Sequence, residues 1–279
     1  MRYNGLIQMV IAIYWSVFMK KRYFVLLCLF FVTRIVCALP VHTLTIAVAS
    51  NFESTFKALQ PVFEKKYHVK LNPAFGSTGQ LYTQIINGAP FDVFLSGDKA
   101  HVSLLNDKKR AISSNQFVYA IGELVVYAPG RSISNTGLTN ALLTPMKHIA
   151  IANPAIAPYG LAAKQYLKRA HLLAGVKNKL VVGENIGQVA TFLMTRNVDA
   201  GFIANSQLMD IIIQSRRHID SAETWIVPQT MYDPLTQYAT LIESSRTKHD
   251  AKLFLAFLKS TEAKKMIVQH GYHFSNDTN

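Results

Sequence analysis

Gly76-Ser77-Thr78-Gly79 places two hydroxyls between two glycines, just ahead of a helix-forming stretch that runs from Gln80 to about Asn87. Such a corner can bind an oxyanion. The first N–H groups of a helix lack intrahelical acceptors and point at whatever sits before them. Small residues let a ligand approach the backbone. An ordinary capped turn explains this tetrapeptide equally well when it is taken alone. Its companions change the weighing. Ser50 follows the alternating run Thr43 to Ala49 and stands three residues before Glu53, the spacing of a capping box. Two further helix starts read Pro158-Tyr159-Gly160 and Asn185-Ile186-Gly187. If the starts after Ser50, Thr78, Pro158 and Asn185 face one cleft, they can hold a dianion with neutral donors alone.

Catalytic patterns are weaker. Ser54-Thr55-Phe56-Lys57 and Ser96-Gly97-Asp98-Lys99 both match S-x-x-K, but the companion S-D-N and K-T-G motifs are absent. Gly76 to Gly79 is not G-x-S-x-G, and neither a phosphate-binding G-x-x-x-x-G-K-[ST] loop nor G-x-G-x-x-G occurs. His270 and His273 are the closest histidine pair, with no acid or thiol beside them, so a metal role is not expected. Asp92 and Asp98 flank one short strand. They stand too far apart to act together. Asp98 reads as a helix cap and Asp92 as a turn or lobe-positioning residue.

Alternating elements must position these corners. Strands are expected over Thr43–Ala49, Val69–Phe75 and Asp92–Leu95, with helices after each, the first reaching about Tyr67 on Phe52, Phe56, Leu59 and Phe63. This βαβαβα order implies a parallel sheet, whose ligands bind beyond the carboxyl ends of its strands. A second run follows. It comprises Glu123–Ala128, a polar segment from Arg131 to Asn140, His148–Ala152, a helix over Leu161–Ala170, Val181-Val182, a helix over Ile186–Thr195, and Ala200–Ala204 with a helix to Gln214. Thr224–Pro228, an extended piece within Met231–Glu243, and an amphipathic helix over Asp250–His270 close the chain. The tail is too short for a domain of its own and is expected to complete the first lobe. The expected division is 39–120 with 229–279 as one lobe and 121–228 as the other. Crossings fall near Ile121-Gly122 and Val227-Pro228.

The N-terminus has a different grammar. A basic cluster, an apolar run and Val36-Cys37-Ala38 make residues 1–38 an export signal cleaved after Ala38, with Met19 as the expected true start. Retention of this segment as a membrane anchor is the competing reading. Both cysteines, Cys28 and Cys37, lie inside it, and Val36 does not suit a lipoprotein cleavage site. The remaining chain has no disulfide or thiolate site, which is compatible with a bacterial periplasm. The formal charge is +13, and the five bases and no acids of residues 1–38 leave +8 beyond them. The bases are scattered through Lys65-Lys66, Lys108 to Arg110, Arg216-Arg217 and Lys264-Lys265. That pattern suits solvated faces and mild anion steering better than nucleic-acid binding.

Five blocks, TIAVASNFESTFKAL, FGSTGQLYTQIINGAPFDVFLSGD, GELVVYAPG, IANPAIAPYGLAAKQYL and AGFIANSQL, together resemble the periplasmic molybdate-binding proteins of ABC-type molybdate importers. The resemblance spans essentially all of the chain after residue 38. It implies an α/β, two-lobed periplasmic-binding-protein fold of class II, each lobe a mixed, mainly parallel sheet flanked by helices. It implies closure on molybdate or tungstate, delivery to a membrane permease, no enzymatic activity, no cofactor, no direct cation ligand and a monomer. By the same resemblance, Ser50 supplies a hydroxyl and an N–H, Thr78 with Ser77 beside it a second hydroxyl site, and Tyr159 and Ile186 backbone donors. Some members add a tyrosine after the last second-lobe strand. Here that position is Ala204, leaving Tyr159 or Asn205 to replace it. The alternatives are a receptor for another oxyanion, such as sulfate, and an exported serine hydrolase using Ser54 and Lys57. N-terminal sequencing of the exported protein is expected to begin at Leu39; a chain beginning upstream of Met19 would refute the cleavage assignment.

Overall fold

A computed structural model describes residues 42–133, 146–215 and 219–274, together with Trp15. The export-signal and anchor readings, both cysteines, most of the polar segment 131–140, and Arg216-Arg217 fall outside the described residues.

Two five-stranded sheets organise the chain. The first has the order β2-β1-β3-β10-β4, built from β1 (Thr43–Ala49), β2 (Lys70–Gly76), β3 (Val93–Ser96), β4 (Ala111–Gly122) and β10 (Leu235–Ile242). β1 runs parallel to β2 and β3, whereas β10 runs antiparallel to β3 and β4. The second has the order β7-β6-β8-β5-β9, from β5 (Leu124–Tyr127), β6 (Ile149–Ala152), β7 (Leu180–Gly183), β8 (Ala200–Ala204) and β9 (Thr224–Ile226). β6 is parallel to β7 and β8, and β5 is antiparallel to β8 and β9. Each sheet is therefore mixed. The chain crosses from β4 to β5 through Glu123 alone and returns between β9 and β10.

Burial follows the strand period. Leu44, Ile46 and Val48 of β1 pack with α1 (Glu53–Tyr67), α8 (Lys248–Lys259) and α9 (Thr261–Gln269). Ala47 turns to the opposite face, against α2 (Thr78–Ile86) and α3 (Ala100–Asp107). The expected stripe on α1 is observed. Phe56, Leu59 and Phe63 are wholly buried, and Phe63 meets Phe254 edge to face at 5.2 Å. Each such side chain contributes about 1.5–3 kcal/mol by leaving water. In the second lobe α4 (Pro158–Arg169), α6 (Ile186–Met194) and α7 (Asn205–Ser215) flank the sheet, with the short α5 (Leu173–Val176) between α4 and β7.

Two expectations change. Ala111–Gly122 is a twelve-residue strand not anticipated from sequence, because its half-exposed, polar first half shows no clean alternation. The capping box expected at Ser50 and Glu53 does not form: Ser50–Phe52 is a turn of 3-10 helix, α1 starts at Glu53, and no side chain caps it.

Asp92 is a structural tie. Its carboxylate accepts from Thr45 N–H at 2.8 Å, Ser245 Oγ at 2.7 Å and Thr247 Oγ1 at 2.9 Å, joining β1, β3 and the approach to α8. Asp98 accepts from His101 N–H at 2.9 Å, as a cap of α3 does. Gly160 allows α4 to lie on β6, since a Cβ there would stand 2.2 Å from the carbonyl oxygen of Ala152. Gly160→Ala should accordingly cost about 1–3 kcal/mol through overpacking. Urea unfolding of the two chains checks this, and an unchanged midpoint would refute the contact.

Candidate functional site

The strand-end corners of both lobes meet at one small pocket. Ala49, Ser50, Asn51, Gly76, Ser77, Thr78, Ala157, Pro158, Tyr159 and Ile186 line it. Ser50, Ser77, Thr78, Tyr159 and Ile186 were singled out from sequence, and all five are here.

Each donor is left available by its local structure. Ser50 sits in the 3-10 turn after β1, so its hydroxyl is not spent on capping α1. The capping box occurs one unit later. Ser77 Oγ accepts from Gln80 N–H at 3.4 Å, and Gln80 Oε1 accepts from Ser77 N–H at 3.2 Å. A hydroxyl that accepts keeps its own proton to donate. Thr78 is in the same position: its Oγ1 accepts from Gly97 N–H at 3.1 Å, which frees its O–H. In the second lobe Pro158 occupies the first turn of α4. It has no N–H, so Tyr159 supplies the first backbone donor there. Asn185 Oδ1 caps α6 through Gln188 N–H at 3.1 Å, and Ile186 opens that helix. The first-turn N–H groups of Thr78, Tyr159 and Ile186 thus have no intrahelical acceptor.

The lobes touch around the pocket. Gly79 N–H donates to the carbonyl of Ile156 at 2.9 Å. A Cβ on Gly97 would lie 3.0 Å from Thr78 Oγ1 and 3.2 Å from Pro158 Cγ, so only glycine fits comfortably between the two. Among the described residues, no charged side chain lines the pocket. The helix starts supply its positive potential through partial charges.

Asn51 was not anticipated, because one asparagine beside a helix start carries no distinctive signal; its only cue was adjacency to Ser50. Its Nδ2 donates to Gln237 Oε1 at 2.9 Å and to Tyr272 Oη at 3.0 Å. Its carbonyl accepts from Tyr272 Oη at 2.7 Å and Ser206 Oγ at 3.0 Å. Gln237 Oε1 also accepts from Tyr119 Oη at 2.8 Å, and its Nε2 donates to Tyr159 Oη at 3.5 Å. The Tyr159 hydroxyl occupies the place a Cβ on Gly122 would take, 1.9 Å from it, so its ring plugs the crossing while the same residue lines the pocket. Burial holds Tyr119, Tyr159 and Tyr272 above the ordinary tyrosine range, although hydrogen bonds with Ser206, Asn51 and Gln237 partly offset it at Tyr272. They stay neutral.

The structure does not bring Ala204 and Asn205 to this pocket. Ala204 N–H donates to Gln207 Oε1, and Asn205 Nδ2 donates to Glu123 Oε2 at 2.9 Å beside the crossing. Neither S-x-x-K serine meets its lysine. Ser54 Oγ donates to Asp210 while Lys57 pairs with Glu53 at 2.6 Å, and Ser96 Oγ donates to the Asp98 carbonyl. His273 pairs its backbone with Ile121. Among the described residues, no group of three or more His, Cys, Asp or Glu side chains could hold a metal ion.

A family model described as bacterial extracellular solute-binding protein matches residues 44–273. The molybdate-binding protein ModA of Rhodobacter capsulatus is 36% identical over 228 residues, 81% of this chain and 86% of that protein. ModA of Azotobacter vinelandii is 34% identical over 236 residues, 85% of this chain and 92% of that protein. Among solved structures, the Azotobacter vinelandii periplasmic molybdate-binding protein superposes with a TM-score of 0.76 at 33% identity, covering 83% of this chain and 99% of that one. The sulfate-binding protein SubI of Mycobacterium tuberculosis, at 12% identity and a TM-score of 0.66, shares the fold. With its two mixed sheets, its pocket of neutral donors between them and these relatives, the chain belongs to the bacterial extracellular solute-binding protein family, among the ModA-type periplasmic binding proteins.

Proposed function

We propose that this protein is a periplasmic receptor that captures molybdate between its lobes and delivers it to the membrane permease of an ABC importer. One observation carries the reading. Five residues that carry neutral donors, from both lobes, line one pocket, and among the described residues no charged side chain lines it. A fully ionised tetrahedral dianion suits such a pocket, because it offers acceptors on every side and needs none from the protein. An oxyanion that keeps a proton lacks an acceptor for it among the lining side chains except through hydroxyl or carbonyl oxygens. The names of the ModA relatives support molybdate in particular. Tungstate, of the same shape and charge, is the second ligand. Ser50, Ser77 and Thr78 act through hydroxyls and Tyr159 and Ile186 through backbone N–H groups. Ala204 and Asn205 make no ligand contact in this reading. The missing family tyrosine is not replaced by the Tyr159 hydroxyl, which is engaged at Gly122 and Gln237.

The remaining parts follow from the same reading. The lobes divide as 39–120 with 229–279 and 121–228. The protein has no enzymatic role and no cofactor, acts as a monomer, and is exported by a signal cleaved near Ala38. Binding draws its strength from preorganised hydrogen bonds in a site that lobe closure dries. Release requires the lobes to part about Glu123 and the β9–β10 connection.

Calorimetric titration of residues 39–279 with molybdate, tungstate, sulfate and phosphate tests the assignment. Molybdate and tungstate are expected to bind and sulfate and phosphate to bind far more weakly. Absence of molybdate binding, or equal binding of sulfate, would refute it. Ser50→Ala and Thr78→Val should each weaken molybdate binding by about 1–3 kcal/mol, the cost of leaving a buried partner unsatisfied. Thr78→Ser should retain most of the affinity. Wild-type affinity in both the alanine and valine variants would move the site elsewhere.

A further inference from the structure

The turn that carries Ser50 has no local support. Ser50–Phe52 is a single turn of 3-10 helix, and no side chain caps it. It is held from behind instead. Asn51 uses both hydrogens of its amide, on Gln237 Oε1 at 2.9 Å and on Tyr272 Oη at 3.0 Å. Its carbonyl accepts from Tyr272 Oη and from Ser206 Oγ. The Phe52 ring packs on Tyr119 edge to face at 4.8 Å and on Tyr272 at 5.4 Å. Gln237, on β10 and wholly buried, is the centre of this group. Its Oε1 takes a second hydrogen bond from Tyr119 Oη at 2.8 Å. Both lone pairs are then used, so the amide can face only one way. That orientation leaves Nε2 toward Tyr159 Oη at 3.5 Å, in the slot that Gly122 keeps open.

We propose that Gln237 is a positioning residue that sets the anion selectivity of the pocket. It does so by referring a wall from each lobe to one buried amide. On one side it holds Asn51, and with it the turn that presents the Ser50 hydroxyl. On the other it meets the side chain of Tyr159, whose backbone opens α4 at the pocket. Gln237 itself does not line the pocket, so it acts only through these two residues. This rests on the receptor reading above and deepens it.

The selectivity argument starts from the ligands. Molybdate and sulfate share charge and tetrahedral shape and differ chiefly in size. Neutral donors cannot tell them apart by charge. They can do so by the distance between opposite walls. A dianion of the right size satisfies donors on both walls at once, whereas a smaller one leaves some of them unpaired in a dry site. Such a distance selects only if it is held to within about 0.5 Å, which requires supporting contacts that lock the donors. Local structure does not lock Ser50, and Tyr159 belongs to the other lobe. The Gln237 amide is the side chain that meets both Asn51 and Tyr159.

The test is calorimetric titration of residues 39–279 with molybdate and with sulfate, read as the ratio of the two affinities. Q237M keeps the length of the side chain and removes the amide. It should bind molybdate about tenfold more weakly, as loss of a supporting hydrogen bond does at other ion sites. Sulfate binding should change less, so the ratio narrows. Q237E keeps an acceptor oxygen for Asn51 and Tyr119. It should keep the wild-type ratio, while any charge it carries weakens both dianions alike. F257L, which opens a cavity in the buried core of the same lobe, should also keep the ratio. A wild-type ratio in Q237M, at whatever affinity, overturns the proposal. So does a ratio in Q237E or F257L as narrow as that of Q237M. If Q237M does not fold, Y159F decides alone, since it retains the backbone N–H and removes only the hydroxyl at Gln237. A narrowed ratio then supports the proposal and a wild-type ratio overturns it. Wild type that binds no molybdate overturns the receptor reading instead, and the two failures are thus distinct.

Discussion

Everything in this molecule turns on backbone N–H groups that a helix cannot satisfy from within. A helix start buried in protein must find an acceptor or remain costly. Here such starts from both lobes are aimed at one small space, with hydroxyls already committed as acceptors to Gly97 and Gln80. Those commitments matter as much as the free groups. A threonine that accepts from Gly97 has its proton left for the pocket, so the site is polarised before any ligand arrives.

Such a pocket can exist only if two lobes hold their ends opposite each other. Glycines permit the approach. Gly79 brings its N–H to Ile156, and Gly97 leaves room for Thr78 and Pro158 at once. Behind the pocket, Gln237 accepts from Asn51 and Tyr119 and donates to Tyr159. Tyr159 thus links the ligand face to the crossing at Gly122. Asn51 likewise joins the pocket wall to Ser206 of the second lobe. Site and crossing share side chains, which gives closure and anion capture a common physical basis.

Much of this was legible in the sequence. Alternation in Thr43–Ala49 and the heptad-like stripe of Phe56, Leu59 and Phe63 marked β1 and α1, because strand and helix periods differ and burial enforces each. Ser77, Thr78, Tyr159 and Ile186 were visible as residues at strand-to-helix corners. The strand Ala111–Gly122 was not, since its partner β10 lies more than a hundred residues away and its own pattern is half polar. Ser50 was placed in the right corner for an incomplete reason: it does not cap α1, and a 3-10 turn frees it.

Local sequence determined which corners could donate hydrogen bonds, because capping, proline placement and glycine are matters of a few neighbouring residues. It also determined that those donors are neutral. Only the tertiary structure decided that they meet. That outcome depends on β10 and β5 each entering a sheet antiparallel to its neighbours, and on Asn51, Gln237, Tyr159 and Tyr272 finding one another across 221 residues of chain. Contacts at such separation leave no periodic trace in the residues that make them, since each depends on the packing of all the elements between.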